Sequence, residues 1–369
     1  SFDFETTENL EPITDVVGQE RAVKAVQFGL FNKSNGYNIY ISGLVGTGKR
    51  TYAQKTVKLI AKKEAAPSDW CYVNNFDNPA QPLSIKLPCG TGQKFKTDIH
   101  ELFLTLKHGV KKLFNSEDYE QAKNNLLRTI KEKKNEIINE FNEYSEENLI
   151  LPQWTANGFV GIPLKNDKVM TPEEYQQLPK EDRERIDIAL REVHEKSNDI
   201  MRKLQRLDRD GREELKKLDR EVGLYAVGHF IEELKEKYSA YSDVIKYLEA
   251  VKQDVLKNIN DFKAAPPEEE NNPLAFYKAF SKDNNKNKYA VNLLVDNKDC
   301  EGAPVVYEIN PTYYNLIGRV EYENRMGVVS TEYSMIKAGA IHRANGGYLI
   351  LNARDLLTNF GAWEALKRV

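Results

Sequence analysis

Cysteine and histidine are scarce in this chain, with three Cys and five His among 369 residues. Cys71, Cys89 and Cys300 are odd in number and widely spaced, so they make no disulfide framework, and with the scattered histidines they make no zinc site. A surplus of either charge is missing too. The 53 Lys and Arg against 56 Asp and Glu leave a formal net charge of −3, which speaks against nucleic acid or an anionic membrane as partner. No run approaches the roughly 18 apolar residues needed to span a bilayer. The opening SFDFETTENL has no charged-then-apolar leader pattern, and a cytoplasmic location is expected.

The length allows two or three domains. The hydrophobic fraction of 40% and charged fraction of 30% supply a core and leave much of the chain as solvated surface. The most specific motif lies at Asn38–Thr51, NIYISGLVGTGKRT. An apolar stretch, read as a strand, enters a GxxGxGK loop and then a helix. Gly43, Gly46 and Gly48 let the backbone turn so that N–H groups face phosphate oxygens, with Thr47 between them. The helix adds its positive dipole end, and Lys49 reaches the β and γ phosphates. The position after the lysine departs from the pattern. Arg50 stands where a Ser or Thr hydroxyl holds Mg²⁺, and Thr51 follows one place later.

Ahead of this loop, Ala22, Val23, Ala25, Val26 and Leu30 form a helical apolar stripe closed by Gly36. After it, DWCYV reads as a strand and the following residues, with two prolines, as irregular chain. From about Glu101 the chain turns to long charged helices, with Leu126, Ile130, Ile137 and Phe141 marking one seam. A small β element follows near 159–170, turning at Asn166 and Asp167, and Thr171-Pro172-Glu173-Glu174 is a capping box. Ile186, Leu190, Val193, Ile200, Leu204 and Leu207 then fall at alternating three- and four-residue steps, with Ser197 in the missing step and a slip near Gly211. A second run, Val244, Leu248, Val251, Val255 and Phe262, has the same step. Joined through Gly223 to Gly228, the two predict an antiparallel coiled-coil hairpin; an ordinary helical bundle is the alternative. AAPPEEENNP, 264–273, breaks the helix, and strand-like composition follows.

The last strand, GGYLIL, has the character of the second buried strand of a P-loop ATPase, expected beside the P-loop strand in a parallel sheet. Such strands end in an acid that organises Mg²⁺ and another that polarises water. Here Asn352 and Ala353 occupy those places, with Asp355 three residues on. The expected site binds ATP or ADP through its phosphates, lacks the groups that hold Mg²⁺, and hydrolyses poorly.

VVGQERAVKAVQFGL, GLVGTGKRT, DWCYVNNFDNP, NPTYYNLIGRVEY and GAIHRANGGYLIL resemble the Lon-like ATP-dependent proteases that carry a long helical insertion inside an AAA+ module. The resemblance runs over nearly the whole chain. It implies an α/β P-loop core, AAA+-like, with a large mainly helical insertion forming a coiled-coil arm plus a small β element. Residues 1–100 and 274–369 would form the core and 101–265 the insertion. It carries Gly43, Gly46, Thr47, Gly48, Lys49, Arg50 and Thr51 to the phosphates, Val17, Gly18 and Gln19 to the base, and Asn352 to the metal-side acidic position. YYNLIG is similar to the pore loops that grip substrate, which implies that role for Tyr313, Tyr314 and Leu316; packing in a core or strand is the other reading. The implied partners are unfolded polypeptides and, in the full-length protein, identical subunits in a hexamer with a Ser–Lys protease domain. No position here matches the protease dyad. Two other readings fit the order of elements: a coiled-coil DNA-repair ATPase, and a non-enzymatic scaffold stabilised by nucleotide.

Overall fold

The computed structural model describes residues 6, 8, 19–32, 34, 36–155, 158–165, 168–263, 288–325 and 328–369. Val17, Gly18, Asn166, Asp167 and the 264–273 segment lie outside the described residues. The chain divides into two compact units, one of residues 1–103, 234–251 and 269–369, the other of residues 104–233 and 252–268.

The first unit opens with α1 (Glu20–Phe31), which buries Val26 and Leu30, and α2 (Lys49–Ala61), which buries Ala53, Val57 and Ala61. β1 (Asp69–Val73) is the DWCYV strand, and its alternating burial identifies the face it turns inward. The residues after it are not all irregular. Leu83–Leu87 forms β2, paired antiparallel with β1. The prolines punctuate the connection, while LSIKL alternates and buries Ile85 and Leu87.

α3 (Thr91–Phe114), α4 (Glu117–Glu147), β3 (Ile150–Thr155), β4 (Gly158–Lys165), β5 (Lys168–Val169), α5 (Pro172–Gln176), α6 (Lys180–Lys237) and α7 (Ser242–Lys257) follow. β6 (Asn292–Val295) closes an antiparallel sheet of order β2-β1-β6. Phe95 of α3 is fully buried in this unit and meets Tyr238 edge-on at 5.4 Å and Tyr247 at 6.2 Å. Asp69 ties the sheet together. Its buried carboxylate accepts the N–H of Gly92 at 2.8 Å and that of Asn297 at 2.9 Å.

The rest of the first unit is built on two parallel strands. β7 (Val305–Glu308) pairs with β12 (Tyr348–Leu351) in the register Tyr348↔Val305 to Leu351↔Glu308. Between them β8 (Gly318–Val320) pairs with β11 (Ile336–Ala338), and β9 (Glu323–Arg325) with β10 (Val328–Ser330). β12 is apolar at every position because both faces are covered. Tyr348 and Ile350 pack with Val26, Leu30 and Val57 of α1 and α2. Leu349 and Leu351 face the other way, onto Leu316, Ala340, Leu356 and Ala362 of four short helices. The glycine pair before β12 has a steric cause. Gly346 has φ +75°, and a Cβ on Gly347 would lie 2.1 Å from the Pro304 carbonyl.

The sequence placed the P-loop strand beside GGYLIL. The partner is β7, and Asn38–Ser42 forms no ladder among the described residues. Ile41 reaches the apolar cluster under α1 and α2, whereas Tyr40 is 78% exposed. An apolar run does not by itself specify which strand it pairs with; the flanking geometry decides that.

In the second unit α4 and α6 run antiparallel. Tyr119 donates to Asp219 at 2.7 Å, Lys134 pairs with Asp208, and Phe141 shares a cluster with Val193 and Ile200. The seam expected from Ile186 onward is the one used, with Val193 and Ile200 buried and Ser197 buried in the missing step. The expected turn at Gly223–Gly228 is absent, because α6 continues through it as one helix of 58 residues. The glycines serve packing instead. A Cβ on Gly223 would lie 3.1 Å from Ile259 Cδ1, and one on Gly211 2.6 Å from Ile130 Cδ1. The chain reverses at Tyr238–Tyr241, and α7 returns along the end of α6, with Lys235 paired to Glu249 and Lys252 to Glu232 at 3.0 Å. The small β element has three strands, in the order β3-β4-β5. β3 carries Pro152, which an edge strand tolerates because no ladder needs its missing N–H on the open side. Thr171 and Glu174 form the expected capping box at the start of α5.

Candidate functional site

The glycine loop runs from Gly43 into the first turn of α2. Gly46 and Gly48 take φ values of +86° and +74°, and a Cβ on either would meet nothing within 4 Å. Their requirement is therefore conformational, the left-handed backbone that glycine adopts without penalty. Gly48 is the N-cap of α2 and offers no side chain to the unpaired N–H groups of the first turn. Those donors are left for an anion, where the helix dipole favours one. Thr47 donates its hydroxyl to the Leu44 carbonyl at 2.9 Å, which closes the loop internally. The Lys49 amine donates to the carbonyls of Gly43, at 2.5 Å, and Leu44, at 3.2 Å. The loop and its lysine are thus held by hydrogen bonds within one short local stretch, Gly43–Lys49.

Arg50 leaves the first turn of α2 and places its guanidinium carbon 4.2 Å from the ring centroid of Tyr307 on β7. Thr51 is exposed on the same turn. The neighbouring acid, Glu308, accepts from Arg343 at 3.1 Å and from the Asn310 N–H at 3.1 Å. Asn352, at the end of β12, acts as an N-cap: its side-chain oxygen accepts the Arg354 N–H at 3.1 Å. Among the described residues no group of three or more His, Cys, Asp or Glu could hold a metal ion.

Of the residues expected near the base, Gln19 is the exposed N-cap of α1, while Val17 and Gly18 lie outside the described residues. Tyr313–Ile317 is a short helix capped by Thr312 rather than a loop. Tyr313 and Tyr314 are exposed and meet edge-on at 5.4 Å. Leu316 is fully buried between Ala340, Leu356 and Ala362. It therefore supports the pair from inside and presents no surface to a substrate. Tyr307 and the Glu308–Arg343 pair were not singled out from the sequence. A strand ending in an acid, VVYE, was their one visible signal.

No helix of the described residues is long and apolar enough to cross a membrane. No curated protein matches the chain. Two family models do. One, of the LonB-like AAA domain, matches residues 301–369, the region of β7, β12 and the short helices. The other, of the Lon-like LonC helical domain, matches residues 69–102, which here form β1, β2 and the first half of α3. The glycine loop lies outside both matched segments. An AAA domain is a nucleotide-binding module, and the match puts β7 and β12 within one. With one match on each side of the helical region, the two family models together support a Lon-like family member.

Proposed function

We propose that this chain is the nucleotide-binding region of a Lon-like ATP-dependent protease, with a phosphate cradle that holds ATP or ADP and an ATPase centre that has decayed. The observation that carries the proposal is the contrast between the two halves of the site. The loop has the left-handed glycines, the uncapped helix start and the lysine that phosphate binding needs. The metal side has an arginine in place of the hydroxyl and, at 352, an amide already used to cap a helix. Among the described residues Mg²⁺ therefore finds no ligand set here, and Asn352 and Ala353 stand where a carboxylate would polarise the attacking water.

The bound nucleotide would act on this chain's stability and assembly more than as a fuel. In this reading the region belongs to a hexameric ring above a Ser–Lys protease chamber. We assign to the helical unit and the exposed Tyr313–Tyr314 pair the task of admitting unfolded polypeptide to that chamber. Residues 101–265 would be the insertion and the flanking segments the core.

An ATP hydrolysis assay with Mg²⁺ tests the decayed-centre reading. The expected result is phosphate release no faster than that of a Lys49→Ala variant. Steady turnover at the rate of an ordinary AAA+ ATPase, lost on Lys49→Ala, would refute it.

A further inference from the structure

We infer that Arg50 serves as a built-in cation for the nucleotide phosphates in the place of Mg²⁺, held there by the ring of Tyr307, so that the site prefers metal-free nucleotide. The inference rests on the nucleotide-binding reading above and goes further, to the form of the nucleotide that is bound.

The residue after the P-loop lysine is the one that carries its hydroxyl to Mg²⁺ in this type of site. Its side chain leaves the first helical turn toward the carboxyl ends of the sheet strands, the end where open α/β sheets receive ligands. Arg50 starts from that position. Tyr307, on which it rests, is the penultimate residue of β7 and sits opposite Ile350 in the parallel pair. The contact thus fixes the guanidinium at the carboxyl end of β7 and β12, the end at which the metal-side acid would stand.

The charge placed there is not neutralised. Among the described residues Arg50 makes no ion pair, although it is exposed and the chain is rich in acids. The nearest carboxylate along β7, Glu308, is taken by Arg343 at 3.1 Å. The guanidinium carbon lies 4.2 Å from the Tyr307 ring centroid, and the planar N–H fork of arginine is the one that matches phosphate oxygens. The ring also restricts the side chain before any ligand arrives, which lowers the entropy lost on binding.

Arginine supplies one positive charge and up to five donors, whereas Mg²⁺ supplies two charges and demands octahedral oxygen ligands. Arg50 therefore stabilises bound phosphates without activating water. A nucleotide that arrives with Mg²⁺ on its phosphates brings a second cation against the guanidinium. Metal should thus weaken binding, opposite to the usual P-loop behaviour.

Titration of a fluorescent N-methylanthraniloyl-ADP, in EDTA and in excess Mg²⁺, separates the possibilities. Wild-type protein should bind more tightly in EDTA. Arg50→Ala, an exposed position, should bind about tenfold more weakly in EDTA, the loss of charge-assisted hydrogen bonds, and should lose the Mg²⁺ penalty. Tyr307→Phe keeps the ring and should behave as wild type; Tyr307→Ala should approach Arg50→Ala, with melting curves confirming that each variant is folded. Arg50→Ala binding as tightly as wild type, or Mg²⁺ tightening the wild-type complex, overturns the inference and leaves the nucleotide site intact. Wild-type protein that binds nucleotide in neither condition removes the nucleotide reading, and the inference with it.

Discussion

At position 352 the side chain is committed to a helix cap. Asn352 accepts the Arg354 N–H, a contact that Asp would make equally well. Either residue would satisfy the cap, so the fold itself does not require a carboxylate at this position. Cys71 gives this scale a pH signature. It is 1% exposed, and burial first, with the neighbouring Asp69 second, pushes its thiol from 9.0 up to about 12. The folded state thus holds the proton more tightly than the unfolded chain. Stability is fully present below pH 9 and is lost as pH rises from 9 toward 12. Between pH 8 and 10.5 the urea midpoint of wild-type protein should fall more steeply than that of Cys71→Ala; parallel slopes would contradict the assignment. The glycines and lysine of the loop were legible residue by residue, because their spacing is dictated by local backbone geometry. The Arg50–Tyr307 contact was not, since the long stretch of intervening chain carries no signal of it, and neither was the meeting of Cys89 and Cys300 at Asn297, where the two thiols donate to its carbonyl at 2.9 Å and its side-chain oxygen at 3.7 Å.

Among the elements, α6 shows what periodicity can and cannot say. The three- and four-residue steps located the buried stripe, down to Ser197, whose hydroxyl turns back to the His194 carbonyl at 2.7 Å. They did not locate the turn, because a helical glycine can mark either a break or a close approach. The two uses differ in a measurable way. Ala in place of Gly within a helix is favourable by about 1 kcal/mol when nothing else changes. Gly228 has no neighbour within 4 Å of a Cβ, so Gly228→Ala should raise the melting temperature. At Gly211 the added methyl would lie 2.6 Å from the tip of Ile130, so Gly211→Ala should gain less or lose stability. Equal gains at both positions would mean that α4 does not pack there. Strand pairing was the least legible level. YLIL and VVYE were both visible as strands, yet their mutual register depends on Gly347, Pro304 and the helices that cover the two faces.

On the scale of the whole molecule, each of the two units has its own core, and the glycine loop belongs to the one that also contains both segments matched by Lon-like family models. That unit is assembled from three separate stretches of sequence, so composition alone could suggest an insertion but could not assign residues 234–251 to the core side. Those residues contribute Tyr238, Val244, Tyr247 and Leu248 to its interior. The central claim is that this unit binds nucleotide through its phosphate cradle with no need for metal. Isothermal calorimetry of ADP binding, with wild-type and Lys49→Ala protein in EDTA, tests it most directly. The account predicts saturable binding to the wild type that Lys49→Ala abolishes. Heat of binding that appears only when Mg²⁺ is added, or that is the same in the two proteins, would contradict it.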